Sequence, residues 1–202
     1  EAPQGFALGD IASAQGSFSG LTATANPLVW TATFTPNTNI EDTATVTVTA
    51  GSYTDVAGNL GTAGSDTTLV DTQGPAAPTL ALSTDSGVSS SDKITNDGTL
   101  TVSGTETGAL VEYSTNGTDW SSSFTPAQGS NTVYVRQTDT AGNVSPASPA
   151  LTFTYDTAAP SVTVDIAATA LKAGETSSVT FTFNEAPQGF ALGDIASAQG
   201  SF

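Results

Sequence analysis

Three acidic side chains far apart in the sequence carry the main chemical signal of this chain. Asp71 stands before a proline-rich connector, Glu106 lies in the polar segment 105–108, and Asp139 begins the segment 139–143. In a seven-stranded β-sandwich, two such loops and the incoming connector lie at the same end of the module. Calcium binds six to eight oxygen atoms at about 2.3–2.6 Å, supplied by carboxylates, carbonyls and water. We therefore predict that Asp71, Glu106 and Asp139 bind Ca²⁺ together with backbone carbonyls of the connector.

The same arrangement is predicted at two further places along the chain. Asp156 stands before a second connector, and Glu185 lies in a segment that corresponds to the loop of Glu106. At the start of the sequence we expect Glu1 and Asp55 to be neighbours. A complete calcium site is predicted only at Asp71, and partial sites are predicted at these two other places.

A second interpretation of residues 139–143 needs no metal. Asp139 and Asn143 can bond to their own backbone in a tight turn, in which Gly142 adopts a positive φ. A further acidic cluster is predicted at the opposite end of the same module, where a second ion is an alternative. It consists of Asp85, Asp92 and Asp97.

The elements that must position these side chains are β-strands, because apolar and polar residues alternate in most segments of the chain. No long helical pattern occurs. The predicted inward-facing residues are Leu28, Trp30, Ala32, Phe34, Val46, Val48, Leu80, Leu82, Leu100, Val102, Val111, Tyr113, Val133, Val135, Val162, Val164, Ile166, Val179, Phe181 and Phe183. About seven strands in about 85–100 residues predict an all-β fold of immunoglobulin-like sandwiches.

The sequence is repetitive at two levels. Residues 1–18 recur without change as residues 185–202, which gives an offset of 185 − 1 = 184 residues. Within this period, the Thr-Asp-Val-Ala-Gly-Asn of residues 54–59 resembles the Thr-Asp-Thr-Ala-Gly-Asn of residues 138–143. Such repetition predicts a linear array with two related modules in each period.

The repeat also predicts where the modules begin and end. Residues 1–72 are expected to form a sandwich module that lacks its opening strands. Residues 73–156 are expected to form a complete module. Residues 157–202 are expected to be the opening strands of the next copy of the first module.

Four side chains outside the acidic clusters have simple structural interpretations. Trp30 and Trp120 are in phase with the inward positions, so we predict that both are core residues rather than platforms for a ligand. Glu112 and Arg136 are predicted to pair across neighbouring strands on the outer face.

Composition excludes several classes of function. The chain has 3 Lys and Arg against 19 Asp and Glu, a formal net charge of −16, which disfavours binding to nucleic acids and to anionic membranes. Histidine and cysteine are absent, which removes His-based triads, Cys nucleophiles and His-ligated metals. The apolar runs are too short to cross a bilayer. We therefore expect a protein that is not an enzyme, with no nucleic-acid partner and no membrane insertion.

Several segments resemble bacterial Ig-like tandem repeats of giant RTX-type and biofilm-associated (Bap-like) surface adhesins. Residues 71–87 read DTQGPAAPTLALSTDSG, residues 94–120 read ITNDGTLTVSGTETGALVEYSTNGTDW, and residues 133–145 read VYVRQTDTAGNVS. Two other segments, VTFTFNEAPQGFALGDI and AGSYTDVAGN, are similar to a companion module of the same proteins. The resemblance implies a secreted stalk at the cell surface or in an extracellular fibre, with joints that are often stiffened by calcium.

These observations lead to one expected function and two alternatives. We expect an extender segment that holds an adhesive tip away from a cell surface and contacts neighbouring identical repeats head-to-tail. The alternatives are a module that binds a glycan or a protein, and an accessory module of a secreted enzyme. One assembly hypothesis follows from the repeated segment: residues 161–202 of a neighbouring copy could complete the first module.

Overall fold

The structure, a computed structural model, describes residues 1–197 as two compact units. The first unit is Glu1–Tyr155 and the second begins at Asp156. Within residues 1–197 the secondary structure consists of strands and two 3₁₀ turns, Leu8–Asp10 and Leu192–Asp194, so the predicted all-β fold is confirmed. Residues 198–202, which end the third predicted segment, lie outside the described residues.

The N-terminal region, residues 1–72, contains five strands in two antiparallel sheets. They are β1 (Ile11–Ala12), β2 (Gly16–Ala23), β3 (Trp30–Pro36), β4 (Glu41–Val48) and β5 (Gly64–Asp71). One sheet has the order β1-β4-β5 and the other pairs β2 with β3. Ala44 is buried and Val46 and Val48 are half-buried, whereas the threonines between them are exposed, as the alternation predicts.

The central region, residues 73–155, contains six strands and a further antiparallel bridge between Tyr113 and Ser121. The strands are β6 (Thr79–Leu82), β7 (Ile94–Thr95), β8 (Leu100–Ser103), β9 (Leu110–Ser114), β10 (Gly129–Thr138) and β11 (Leu151–Tyr155). One sheet has the order β7-β11-β10-β9 and faces a second sheet of β6 and β8. The core between the sheets is built on Val133, Leu151 and Phe153.

The second unit contains an antiparallel pair, β12 (Val162–Ile166) and β13 (Val179–Phe183). Val179, Phe181 and Phe183 are half-buried on one face of β13. All of β12 is exposed, including the apolar residues that were predicted to face inward. The pattern of alternation is therefore present in this unit, but residues 156–197 do not cover its apolar face fully.

Besides the residues of β12, three further positions depart from the prediction of inward-facing residues. Ala32 is exposed although it lies within β3. Leu28 is 58% exposed and lies before the first residue of β3. Trp120 is half-buried rather than in the core, and the guanidinium carbon of Arg136 lies 4.4 Å from its ring centroid. A cation over an indole face is attracted by the ring quadrupole, so this contact stabilises Trp120 outside the core.

The predicted pair on the outer face is confirmed. Arg136 and Glu112 are register partners on β10 and β9, and their side chains form a salt bridge of 2.9 Å. Both side chains are half-buried, and an ion pair at a protein surface contributes about 0–1 kcal/mol, so the pair supports strand pairing without implying chemistry.

Among residues 1–197, no helix has the length and apolar character needed to cross a membrane.

Candidate functional site

The connector between the two sandwiches of the first unit is held by hydrogen bonds on the side of the N-terminal region. The backbone N–H of Thr72 donates to the carbonyl of Ile40 at 2.7 Å. The Thr72 hydroxyl donates to the carbonyl of Asn37 at 2.9 Å and accepts from the N–H of Ile40 at 3.0 Å. One threonine therefore fixes the last residues of β5 against the loop before β4.

The next residues of the connector lie against the central region. The side-chain amide of Asn143 donates to Oδ1 of Asp71 at 3.1 Å and is 3.3 Å from the Asp71 carbonyl. A methyl group on Gly74 would lie 3.0 Å from the carbonyl oxygen of Val144, so the backbones are in close contact there. Pro78 at the end of the connector is fully buried. Because proline also fixes φ, little freedom is left in this segment.

Gln137 ties the connector to two other segments at the same end of the sandwich. Its side chain is 0% exposed, and its Oε1 accepts a hydrogen bond from the N–H of Glu106 at 2.8 Å. Its amide nitrogen donates to the carbonyl of Ala76 at 2.8 Å and to that of Gly104 at 3.1 Å. A buried amide with all its groups paired is strongly restricted in orientation, so Gln137 fixes the positions of three chain segments at once.

Residues 139–143 form a closed turn at this end. The N–H groups of Asn143 and Ala141 donate to Oδ1 of Asp139 at 2.8 and 2.9 Å, and the Asn143 side-chain amide donates to Oδ2 at 2.9 Å. Gly142 has a φ of 96°, a backbone angle that residues other than glycine rarely adopt. This is the geometry of the metal-free interpretation, and it also leaves both carboxylate oxygens of Asp139 directed toward Asn143.

Residues 55–59 repeat this turn in the N-terminal region. The backbone N–H and side-chain amide of Asn59 donate to the two oxygens of Asp55 at 2.8 and 2.7 Å. Gly58 has a φ of 88°. The same local sequence therefore gives the same hydrogen-bonded turn in both regions, independent of what surrounds it.

These hydrogen bonds keep the two turn carboxylates ionised. Burial opposes ionisation of Asp139, but the hydrogen bonds from the Asn143 side chain and from three backbone N–H groups outweigh it, so the pKa of Asp139 lies below its ordinary value. The side-chain amide of Asn59 is the largest cause that lowers the pKa of Asp55, followed by its backbone N–H.

The structure brings two of the three carboxylates predicted for the first calcium site to one shared side chain. Asp71 and Asp139 both accept hydrogen bonds from Nδ2 of Asn143. Glu106 reaches the same end of the sandwich through its backbone N–H, which donates to Gln137. In the described part of the chain, no group of three or more acidic side chains is arranged to hold a metal ion.

The remaining predicted ligands lie in two places. Glu1 and Asp55 line the same open cavity, of about 320 Å³. In the second unit, Oδ1 of Asp156 accepts a hydrogen bond from the N–H of Ala158 at 3.0 Å, and Glu185 is exposed. The same bond, from the residue two positions on, occurs at Asp71, so both connectors begin with the same turn.

The other acidic cluster is occupied by local hydrogen bonds. The backbone N–H of Lys93 donates to the carboxylate of Asp85. In the same way, the N–H of Ile94 donates to Asp92 and that of Thr99 donates to Asp97. These carboxylates shape the loop of residues 84–98, and they do not form a group of three that could hold a metal within residues 1–197.

Sequence reasoning missed the two amides that organise this end of the central sandwich. Gln137 continues the inward alternation of Val133 and Val135 on β10. A polar residue at an inward-facing position was therefore the signal in the sequence that could have identified it. Asn143 was recognised only as part of a turn, and the sequence carried no signal for its contact with Asp71, which is 72 residues away.

Comparison with known families agrees with this architecture. One family model, described as bacterial Ig-like domain, matches residues 1–72 and 156–202. A second, with the same description, matches residues 73–157. The chain belongs to the bacterial Ig-like domain family. Such domains are typical of extracellular or surface proteins and are typically non-catalytic structural modules. A search of curated proteins found no match.

Proposed function

We propose that this pair of bacterial Ig-like domains is an extender segment of a cell-surface adhesin or extracellular fibre, and that the joint at Asp71 sets the direction of the stalk. The observation that carries the proposal is the connector, which is hydrogen-bonded to the sandwich on each side. Thr72 holds it to the N-terminal region, and Asn143 and Gln137 hold it to the central region. A flexible linker between independent domains would lack such contacts.

The mechanism of an extender is mechanical. Each sandwich resists extension through its core and its strand pairing, and each joint limits bending between neighbours. A linear array of such modules changes in length by copy number, because each module contacts only the next. The net charge of −16 keeps a long array soluble through self-repulsion, and the same repulsion favours an extended form.

We further propose that calcium strengthens the joint at Asp71. The donor atoms are suitable, since Asp71 and Asp139 supply carboxylate oxygens and Asn143 supplies an amide that both carboxylates already contact. Rotation of that amide would present its oxygen in place of its nitrogen. Backbone carbonyls of the connector and water would complete the ligand set, with Glu106 as a further carboxylate at the same end of the sandwich.

The energetic role of the ion is limited. An extracellular-type site with a Kd of about 10⁻⁴–10⁻³ M corresponds to about 4–5.5 kcal/mol at standard state. At a hundredfold excess of ion over Kd the stabilisation is about 2.7 kcal/mol. Ordering the connector costs about 1–2 kcal/mol per residue, so the prolines and the hydrogen bonds of Thr72 and Gln137 must supply most of the rigidity. Calcium then selects one orientation of a joint that is already restricted.

Calorimetric titration of residues 1–202 with CaCl₂ tests the metal. We expect binding with a Kd of about 10⁻⁴–10⁻³ M. Asp71→Asn should weaken it about tenfold or more, because it removes one of the few charged ligands. Asp66→Asn on the same strand is the matched control and should leave binding unchanged. Equal binding by all three proteins would refute the assignment to this joint.

Small-angle X-ray scattering of a tandem array of several periods tests the extender. With calcium, the maximum dimension should grow in proportion to copy number, and a chelator should shorten it while the far-UV circular dichroism stays constant. A maximum dimension that grows only as the square root of copy number, with or without calcium, would indicate freely jointed modules and would overturn the proposal.

A further inference from the structure

The N-terminal region carries an open apolar groove that its own residues leave uncovered. Phe6, Leu28, Trp30 and Tyr53 contribute to the lining of a cavity of about 450 Å³. Leu28 is 58% exposed at its rim. The indole N–H of Trp30 is buried without a hydrogen-bond partner among the described residues. Exposed apolar surface beside half-buried aromatic residues, as here, is typical of a surface that another chain segment covers.

The second unit carries the complementary feature, an apolar strand face that the described residues of the unit cover only in part. Val162, Val164 and Ile166 on β12 are 45%, 58% and 56% exposed. On β13, Phe181 and Phe183 share one face and are half-buried. In a two-stranded sheet, one apolar face requires a second layer to be stable in water.

The repeated segment relates the two surfaces to each other. Phe6 and Phe190 are the same position in two identical copies, residues 1–18 and 185–202. Phe6 packs edge-on against Trp30 and Tyr53, at centroid distances of 5.7 and 5.8 Å. Phe190 packs against Phe181 and Phe183, at 5.5 and 4.9 Å. The same position of the repeated segment therefore has two different sets of aromatic neighbours, one in each copy.

We propose that the β12–β13 pair of a second copy of this chain docks on the groove of the N-terminal region. In the docked state a single phenylalanine of the repeated segment contacts Trp30 and Tyr53 on one side and Phe181 and Phe183 on the other. The apolar faces of β12 and β13 cover Leu28 and the rest of the groove. This inference rests on the proposed array of modules and is independent of calcium.

The interface of this contact is heterologous, because β12–β13 and the groove are different surfaces of the chain. A heterologous interface joins copies head-to-tail, in a chain or in a ring. In a continuous array with the same 184-residue period, the same surfaces meet between successive repeats.

The repeated segment also makes docking an exchange. The donor strands run directly into residues 185–202, which are identical in sequence to residues 1–18 of the acceptor. If the incoming copy replaces the resident one, the contacts of this segment are lost and regained equally. The net free-energy gain then comes from burying the groove and the β12–β13 face. Both surfaces are apolar, so their burial stays favourable at high salt.

Sedimentation velocity of residues 1–202 in chelator over a range of concentrations tests the proposal. We expect concentration-dependent head-to-tail oligomers that become larger at higher salt, because salt screens the repulsion between acidic chains. Phe181→Asp should weaken self-association about tenfold or more by placing a charge in the apolar contact. Thr182→Asp, on the opposite face of the same strand, is the matched control and should associate as the wild type does.

Mixing two variants tests the polarity of the contact. Phe181→Asp disables the donor surface, and Leu28→Asp disables the acceptor surface at a side chain that is already exposed. Each variant alone should be monomeric, and an equimolar mixture should form a one-to-one dimer that does not grow further. Far-UV circular dichroism of each variant establishes that it is folded.

Three results would overturn the proposal. The wild-type chain could stay monomeric at every concentration, or Leu28→Asp could self-associate as the wild type does. Equally, the mixture of the two folded variants could stay monomeric. Because all measurements are made in chelator, none of these results bears on calcium at Asp71, which the calorimetric titration tests separately.

Discussion

Replacement of Gln137 by alanine should loosen the joint between the two sandwiches. The Gln137 side chain is fully buried, and it makes three hydrogen bonds to backbone groups of Glu106, Ala76 and Gly104. Gln137→Ala leaves all three backbone groups without this partner and creates a small cavity. It therefore affects the connector directly, although the side chain lies on a core strand.

The expected loss of stability follows from these three bonds. A hydrogen bond between neutral groups contributes about 0.5–1.5 kcal/mol net, so three give about 1.5–4.5 kcal/mol. Water can replace some of the three lost hydrogen bonds, because Glu106, Ala76 and Gly104 are exposed. We therefore expect Gln137→Ala to lower the free energy of unfolding of the central sandwich by about 2–4 kcal/mol, and the urea midpoint by about 1–3 M.

Urea unfolding followed by Trp120 fluorescence, in a Trp30→Phe background, measures the effect on the central sandwich. The matched control is Gln73→Ala, an exposed glutamine of the same connector, which should change stability by less than about 0.5 kcal/mol. Amide hydrogen exchange of Glu106 should become faster in Gln137→Ala than in the control. Equal midpoints and equal exchange rates for the two variants would refute the role of Gln137.

Two further predictions concern the turns. The pKa values of Asp55, Asp97 and Asp139 are lowered in the folded protein, so the folded state favours their ionised form. These ionised carboxylates contribute fully to folding stability above the unfolded-state pKa of about 3.9, and the contribution is lost as pH falls through the folded-state pKa values. Urea midpoints between pH 6 and pH 2.5 should fall with acid; a constant or rising midpoint would contradict this. Gly142→Ala should cost about 1 kcal/mol because φ is 96° there, whereas Gly64→Ala, which has neither a positive φ nor a close neighbour, should not destabilise. Thermal unfolding of both variants measures the difference, and equal melting temperatures would contradict the argument.

Strand content and local turns were predictable because they depend on short stretches of sequence. The alternation around Val46 and Val48 predicted β4, and Thr-Asp-x-Ala-Gly-Asn predicted a turn that occurs twice with the same hydrogen bonds. The pairing of Glu112 with Arg136 was predictable for a related reason, since strand alternation places both on one face.

Side chains at the ends of strands were harder to place, because alternation does not continue there. Leu28 was predicted to face inward but lies before β3, where the chain is not extended in the sheet. Trp120 was predicted to be in the core, but Arg136 on β10 offers its ring a contact on the outer face. Periodicity assigns a face only within a strand, and an aromatic ring outside one takes whichever neighbour tertiary packing provides.

The sequence by itself determined the all-β class, the two turns and the period of 184 residues, since each depends on local propensity or on identity between segments. Only the tertiary structure decided how the acidic loops are organised. It placed the amide of Asn143 between Asp71 and Asp139, and it buried Gln137 where three segments meet. The contact of Asn143 with Asp71 joins residues 72 positions apart, and that of Gln137 with Glu106 joins residues 31 positions apart. Their geometry is fixed by how the sheets pack, which no local pattern encodes.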